Sequence, residues 1–317
     1  MIQASANIDH VNLGRRRSQA FVASGQKMFI FGFGVALPLL VYAVFVGYPI
    51  IYNIYLSLTN WNGLSSKVPF VGFANYERLM HDPSFWNAFV NTVVWSVISL
   101  VINIVVPMAL AIILASGRIF APTLFRSLLF LPVTMSLVAV GLMYSLILSP
   151  GFGAFDQALR AIGLGAFVRT WLGDYNITLY VLIIIGCWAY IGVPLMLFHA
   201  GLGSIDPELF DAARLDGAKP SQIVRYVVVP GLRPVVLVVT MLSVIQSLRT
   251  FDVVSVMTSG GPAGGSSVLG YFMYSVTFSR NQFGYGASIA VVILLLSAGF
   301  AVVYLRGVAR NTLHVGK

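Results

Sequence analysis

The sequence contains very little charge for its length. Of its 317 residues only 9% are charged, whereas a soluble domain carries about 25% charged residues. This is too little charge to cover the surface of a water-soluble globule, and 58% of the residues are hydrophobic. The composition therefore predicts an integral membrane protein whose surface faces lipid.

Residues that form disulfides and metal sites are also scarce. The single cysteine, Cys187, excludes an internal disulfide. The four histidines are dispersed through the chain as His10, His81, His199 and His314. None of them has the spacing of a metal-binding motif, so we expect no metal site.

Signatures of nucleotide binding and of ion-driven transport are missing as well. No Gly-x-x-x-x-Gly-Lys-Ser/Thr motif occurs, so the chain is not expected to bind a nucleotide itself. Carboxylates are almost absent from the apolar runs, which argues against a proton- or sodium-driven carrier. The exception is Asp252. It follows Arg249 by three residues, and we predict a structural ion pair between the two, one helical turn apart.

Long apolar runs alternate with polar segments, and each run provides the ~20 residues that a membrane-spanning helix needs. We predict an all-α membrane protein with transmembrane helices at Met28–Tyr48, Asn87–Ser116, Ala121–Leu148, Thr178–Gly201, Gly231–Met257 and Tyr285–Arg306. The predicted organisation is an N-terminal tail over residues 1–27, a domain of six transmembrane helices over 28–309 and a C-terminal tail over 310–317.

Lysine and arginine are distributed unequally between the two sides of these spans. Most of the 19 lie on the side of the two termini, beginning with Arg15, Arg16 and Arg17. By the positive-inside rule, both termini are predicted to be cytoplasmic. This distribution also accounts for the net charge of +9 without nucleic acid as a partner.

One polar segment, over residues 204–230, separates the fourth and fifth apolar runs. Asp206 and Pro207 are suited to begin a helix there, and Gly217 is suited to end it in a left-handed conformation. Its apolar stripe consists of Leu209, Ala212, Ala213 and Leu215, beside the charged Asp211, Arg214 and Asp216. One interpretation is an ordinary amphipathic helix at the membrane interface.

The same segment carries the pattern Asp-Ala-Ala-x-x-Asp-Gly-Ala from Asp211 to Ala218, followed by Val-x-Val-Pro from Val227 to Pro230. This pattern resembles the EAA loop of ABC-importer permeases, although the family usually has Glu at the position of Asp211. In that family the loop is a coupling helix that sits in a cleft of the cytoplasmic ATPase. The resemblance assigns this role to Leu209, Asp211, Ala212, Ala213, Arg214, Asp216, Gly217 and Ala218.

Other stretches resemble the carbohydrate-uptake, binding-protein-dependent branch of the family. They are Phe70–Tyr76, Phe85–Thr92, and Thr250–Val254 with the following Gly260-Gly261-Pro262. The resemblance implies a type I importer permease in a bacterial inner membrane. It also implies a second homologous permease subunit, an ATPase dimer that binds ATP and Mg, an external solute-binding protein and a sugar substrate. No cofactor is expected on this chain.

Polar side chains on the fifth span recur at i, i+3, i+4 and i+7, which places them on one helical face. They are Ser243, Gln246, Ser247 and Thr250. Together with Tyr190 on the fourth span they are candidates for the substrate pathway, because neutral donors and acceptors beside aromatic rings suit a sugar. No fixed charge is expected in this pathway. Alternatively these groups join packed helices, as we expect for Ser96, Ser99 and Asn103 on the second span.

Three alternatives to a sugar permease remain. An ABC importer for a non-sugar solute, such as a polyamine, an amino acid or a glycerol phosphate ester, would carry the same coupling loop. A secondary carrier would transport without an ATPase partner. A membrane scaffold that transports nothing would not need the coupling loop.

Overall fold

The structure, a computed structural model, describes the backbone of residues 30–117 and 120–315 and the side chains of residues 32–117 and 120–307. The predicted tail over 1–27 lies outside the described residues, and of the tail over 310–317 only the backbone as far as Val315 is described. Apart from one bridge pair between Thr59 and Phe70, the described residues contain no β-structure. The prediction of an all-α protein is confirmed.

The helices of the described chain are numbered here in chain order. The first, α1, consists of the successive segments Ile30–Ala36, Leu37–Tyr42, Ala43–Gly47 and Tyr48–Ser57. The others are α2 (Ala74–His81), α3 (Pro83–Ala115), α4 (Pro122–Thr134), α5 (Leu137–Ile147), α6 (Ala154–Ala161), α7 (Thr178–Tyr190), α8 (Gly192–Gly203), α9 (Pro207–Leu215), α10 (Pro220–Ile223), α11 (Arg233–Leu248), α12 (Asp252–Met257), α13 (Leu269–Tyr274) and α14 (Phe283–Val315).

Four segments are long and apolar enough to cross a membrane. They are Gly32–Ser57, Pro83–Ala115, Arg233–Met257 and Phe283–Gly307. Two pairs of helices meet the same requirement together but are bent, α4 with α5 by 99° and α7 with α8 by 49°. If each bent pair is one span, the described residues contain the six spans that the sequence predicts. The third and fourth spans are broken, whereas the sequence predicted continuous runs.

The break in the fourth span follows from a proline. Pro194 lies in the first turn of α8, where it cannot donate a hydrogen bond to the carbonyl of Tyr190 and its ring crowds that carbonyl. The helix therefore ends at Tyr190 and a new one begins at Gly192. As a result, Tyr190 lies at the bend between α7 and α8.

Within the compact unit formed by residues 57–317, α3 is the central element. Its start is capped by Asp82, whose Oδ1 accepts a hydrogen bond from the backbone N–H of Ser84 at 2.8 Å. Along its length it packs against α7, α8, α11 and α13. Near its N-terminal end, Asn91 Nδ2 donates to the carbonyls of Gly265 and Ser267 at 3.1 and 2.9 Å. The glycine-rich segment after α12 is therefore bonded to α3.

An apolar cluster closes the end of the unit where α9 lies, and we call it the base cluster. It consists of Ala111, Leu114, Leu195, Phe198, Ile205, Val228, Leu232 and Val239. These residues come from α3, α8, α11 and the segments that flank α9. The base cluster therefore joins three membrane-spanning elements to the polar segment over residues 204–230.

Candidate functional site

The polar segment over residues 204–230 forms the helix α9 with the predicted ends. Asp206 Oδ1 accepts a hydrogen bond from the backbone N–H of Glu208 at 2.9 Å. Gly217 has φ +73°, which is left-handed, and the N–H of Ala218 donates to the carbonyl of Ala213 at 3.0 Å. These contacts satisfy backbone groups that a helix leaves unpaired at its ends. The predicted cap and the predicted left-handed glycine are both confirmed.

The two faces of α9 differ in what they contact. Phe210 packs against the base cluster and holds the helix to the membrane-spanning elements. The side chains of Leu209 and Leu215 are 54% and 89% exposed. Beside them Arg214 Nη1 lies 3.0 Å from Asp211 Oδ1. An exposed apolar surface with a charged rim is typical of a protein interaction site. Sequence reasoning missed Phe210 as the anchor.

The chain after Gly217 forms a second helical stretch. It begins with α10, and the backbone N–H of Lys219 donates to Gln222 Oε1 at 2.7 Å. The helix continues through a π-helical segment, Val224–Val228, and through Val229–Gly231. It therefore continues past Pro230 as far as Gly231, just before α11.

All five candidate pathway residues line one cavity of about 220 Å³, which we call the central cavity. Tyr190 reaches it from the end of α7, and Ser243, Gln246, Ser247 and Thr250 reach it from α11 and the residues after it. The structure thus brings together residues that are separated by more than a whole helix in the sequence. Their grouping agrees with a shared pathway, but their roles stay a prediction.

Two of these residues are used in packing. Ser247 Oγ lies 2.8 Å from Ser99 Oγ of α3, and Asn103 Nδ2 donates to Ser243 Oγ at 3.4 Å. Ser243 and Ser247 are only 1% and 3% exposed. Hydrogen bonds of this kind join packed membrane helices. They are the contacts that the packing alternative anticipated for this face.

The remaining candidates are accessible from the cavity. Gln246 is exposed, and its side-chain amide forms no hydrogen bond with the described part of the chain. The hydroxyl of Thr250 donates to the carbonyl of Gln246 at 3.2 Å, and Tyr190 is half-buried. Asn103 also lines the cavity, is 4% exposed, and its Oδ1 has no hydrogen-bond partner. The cavity wall therefore presents several polar groups that are free to bind a ligand.

An aromatic residue that sequence reasoning missed completes this wall. Trp95 of α3 lines the cavity beside Gly186, and a Cβ on that glycine would lie 3.0 Å from the Trp95 Cζ2 atom. The signal was present in the sequence, because Trp95, Ser99 and Asn103 follow each other at i, i+4 and i+8 on one face of a helix.

The predicted ion pair between Arg249 and Asp252 is not formed. The only ion pair among the described residues joins Arg214 and Asp211. The reason is that α11 ends at Leu248 and α12 begins at Asp252, so the two side chains do not share a helical turn. Both line the central cavity. The expectation that this pathway carries no fixed charge was therefore wrong, although the two charges are of opposite sign.

Comparison with known proteins agrees with this architecture. The family model described as "Binding-protein-dependent transport system inner membrane component" matches residues 21–310. The chain is similar in fold to a subunit in the crystal structure of a bacterial ABC transporter involved in the import of the acidic polysaccharide alginate. The TM-score is 0.77 at 19% identity, over 91% of this chain and 98% of that one.

Two curated relatives are similar over most of their length. One is YurN, a probable ABC transporter permease protein of Bacillus subtilis (strain 168), 34% identical over 85% of this chain and 93% of the relative. The other is LacF of Rhizobium radiobacter, a lactose transport system permease protein. It is 34% identical over 83% of this chain and 89% of the relative.

Proposed function

The chain belongs to the family of inner membrane components of binding-protein-dependent transport systems, and on that premise we propose that it forms half of the pathway of an ATP-driven sugar importer. As a member of this family it is a multi-pass membrane protein and a transport subunit, not an enzyme. We place it in a bacterial inner membrane with both termini in the cytoplasm, as the distribution of lysine and arginine favours.

The observation that carries the sugar assignment is the set of side chains in the central cavity. Gln246, Asn103 and Tyr190 present amide and hydroxyl groups there, and Trp95 adds a second aromatic ring. Sugar hydroxyls need both donors and acceptors, and the C–H faces of a sugar ring pack on aromatic side chains. A relative named as a lactose permease supports the same substrate class.

The size of the cavity supports a second permease subunit as a partner. Its volume of about 220 Å³ is below the ~300–1,000 Å³ that ligand sites usually have. A facing wall from a homologous subunit would enlarge and close it. An external solute-binding protein would deliver the sugar to this shared cavity.

The exposed face of α9 supports coupling to an ATPase. Leu209 and Leu215 would fill a cleft of the ATPase, and Phe210 would pass the movement to the base cluster. The ATPase dimer, and not this chain, would bind ATP and Mg. On ATP binding, α9 and the corresponding helix of the second permease, both docked on the ATPase dimer, would approach each other. The cavity would then open to the opposite side of the membrane.

Two neighbouring residues of α11 test the substrate assignment. Gln246→Ala is expected to change the apparent affinity for sugar by roughly two- to tenfold, because one hydrogen bond to the substrate is lost. Ser247→Ala is the matched control. It removes the buried contact with Ser99, so it should lower thermal stability by about 1 kcal/mol and leave sugar preference unchanged.

The measurement is ATP-dependent uptake by the assembled complex in proteoliposomes, with lactose as the first probe and a panel of mono- and oligosaccharides after it. The panel also contains a glycerol phosphate ester and an amino acid, because Arg249 and Asp252 face the cavity. If Gln246→Ala, Tyr190→Phe and Asn103→Leu all keep wild-type affinity and preference, the substrate pathway lies on another face. If the complex takes up a charged solute and none of the sugars, the chain would instead belong to an ABC importer for a non-sugar solute.

The orientation is tested by a single introduced cysteine. In a Cys187→Ser background, a cysteine that replaces the exposed Lys219 is expected to react with a membrane-impermeant maleimide only after the cytoplasmic side is opened. Asn176→Cys, in the exposed loop before α7, is the control and should react in cells whose inner membrane is intact. The reverse pattern would show that the orientation is inverted.

A further inference from the structure

A second cavity, of about 810 Å³, lies between α9 and the neighbouring ends of α3, α4 and α8, and we call it the basal cavity. Three basic side chains line it: Arg126 of α4, His199 of α8 and Arg214 of α9. None of the described residues that line it is acidic. The basal cavity therefore carries the unpaired positive charge of Arg126, and it is separate from the central cavity.

Two of these side chains have unsatisfied polar atoms. Arg126 Nε and His199 Nδ1 are buried and have no hydrogen-bond partner among the described residues. A buried guanidinium N–H without an acceptor is unfavourable, and an anion with several oxygens would satisfy it through charge-assisted hydrogen bonds. Arg214 uses Nη1 to contact Asp211 and is otherwise exposed. The cavity thus has hydrogen-bond donors suited to an anion, and no carboxylate among its described lining residues accepts from them.

The rest of the wall is apolar. It includes Ile112 and Leu114 of α3, Leu202 of α8 and Phe210 of α9. These side chains belong to the base cluster or pack against it, and they turn their remaining surface to the cavity. A small soluble anion would leave that surface uncovered, whereas a phospholipid would place its phosphate on the basic groups and its acyl chain on the apolar ones. Basic pockets between membrane helices on the cytoplasmic side are suited to bind anionic head groups in this way.

We propose that the basal cavity binds an anionic phospholipid of the cytoplasmic leaflet, held through its phosphate by Arg126 and His199. Because Phe210 and Arg214 of α9 form part of the same wall, the bound lipid would hold α9 against the membrane-spanning helices. The proposal goes beyond sugar import and shares with it only the assignment of α9 to the cytoplasmic side.

The test measures lipid retained by the purified chain in dodecyl maltoside, by native mass spectrometry, with added dioleoylphosphatidylglycerol or dioleoylphosphatidylcholine. The wild type is expected to retain the anionic lipid and to release the zwitterionic one. Arg126→Gln and His199→Gln should each weaken retention of phosphatidylglycerol by about fivefold to tenfold. Arg233→Gln is the matched control, because Arg233 is exposed at the start of α11 and does not line the cavity.

Several results would overturn the proposal. Equal retention of both lipids in the wild type, which needs no variant to fold, would exclude anion recognition. An equal loss in Arg233→Gln would indicate general surface charge. Displacement by millimolar inorganic phosphate would make a soluble anion the occupant, and loss of lipid on adding the ATPase would mean that the ATPase covers the cavity. A detergent micelle has no sides, so a wrong orientation or a wrong sugar would leave the binding result intact.

Discussion

Gly217→Val is expected to abolish uptake while the protein remains in the membrane, and Gly217→Asn is expected to retain most of it. Gly217 has φ +73°, a conformation that costs an ordinary L-residue ~1–2 kcal/mol and a β-branched residue more. Asparagine adopts it more readily than other non-glycine residues. Because nothing lies within 4 Å of a Cβ at this position, the difference between the variants reports backbone conformation and not crowding.

The consequence for uptake comes from the end of α9. The hydrogen bond from the N–H of Ala218 to the carbonyl of Ala213 depends on the left-handed residue between them. Without it the last turn would loosen, and Leu215 would turn away from the ATPase cleft that we propose for it. Uptake and co-purification of the ATPase are the two readouts. Gly299→Val is the control, since it adds the same side chain in open space, without a left-handed backbone and far from α9 in the sequence. Wild-type uptake by Gly217→Val would refute the coupling assignment.

Gly270→Ala is expected to destabilise the assembled protein by about 1–3 kcal/mol and to reduce uptake severely. Gly270 is buried in α13, and a Cβ there would collide with the carbonyl oxygen of Thr250. This oxygen belongs to the backbone and cannot rotate away as a side chain does. The collision would displace Thr250 and Phe251, both of which line the central cavity at the break between α11 and α12.

The matched control for this variant is Gly299→Ala. Gly299 lies within α14, and a Cβ there meets nothing within 4 Å. Alanine is favoured over glycine in a helix by ~0.5–1 kcal/mol, so this variant should be as stable as the wild type or slightly more so. Thermal unfolding of the purified complex and lactose uptake are measured for both. An unchanged unfolding temperature for Gly270→Ala would show that α13 does not pack on Thr250 as closely as the structure indicates.

The ends of α9 could be predicted because they depend on residues next to each other in the chain. Asp206, Pro207 and Gly217 act through local backbone conformation and local hydrogen bonds. The packing of α9 could not be predicted in the same way. An amphipathic pattern gives the apolar residues, but only the neighbouring helices decide that Phe210 is covered and Leu215 is not.

The breaks in the spans were missed because the apolar composition continues across them. Apolar residues occur on both sides of Met135 and of Arg249, so hydropathy alone does not mark a break there. Pro194 did carry a signal, since a proline disturbs the residue four positions before it. This rule places Tyr190 at the bend.

The polar face of α11 shows a similar limit. One helical face carries Ser243, Gln246, Ser247 and Thr250. Their spacing does not show which of them pack against another helix and which face the cavity. The position of α3 beside α11 separates them in the structure, because Ser99 and Asn103 bond to the two serines and leave the other two accessible. A contact between spans about 140 residues apart cannot be found from periodicity within one of them.

The break after Leu248 has a mechanical consequence. The 16 residues of α11 form a rigid arm about 24 Å long, held at one end by the base cluster and carrying Gln246 near the other. Beyond the break, α12 packs against α5 and does not belong to that arm. A push on α9 that passes through Phe210 would therefore move α11 together with α3 and α8, which the base cluster joins to it, and would leave α12 behind. Gln246 would move relative to Asp252, and the width of the central cavity would change with the tilt of these joined helices.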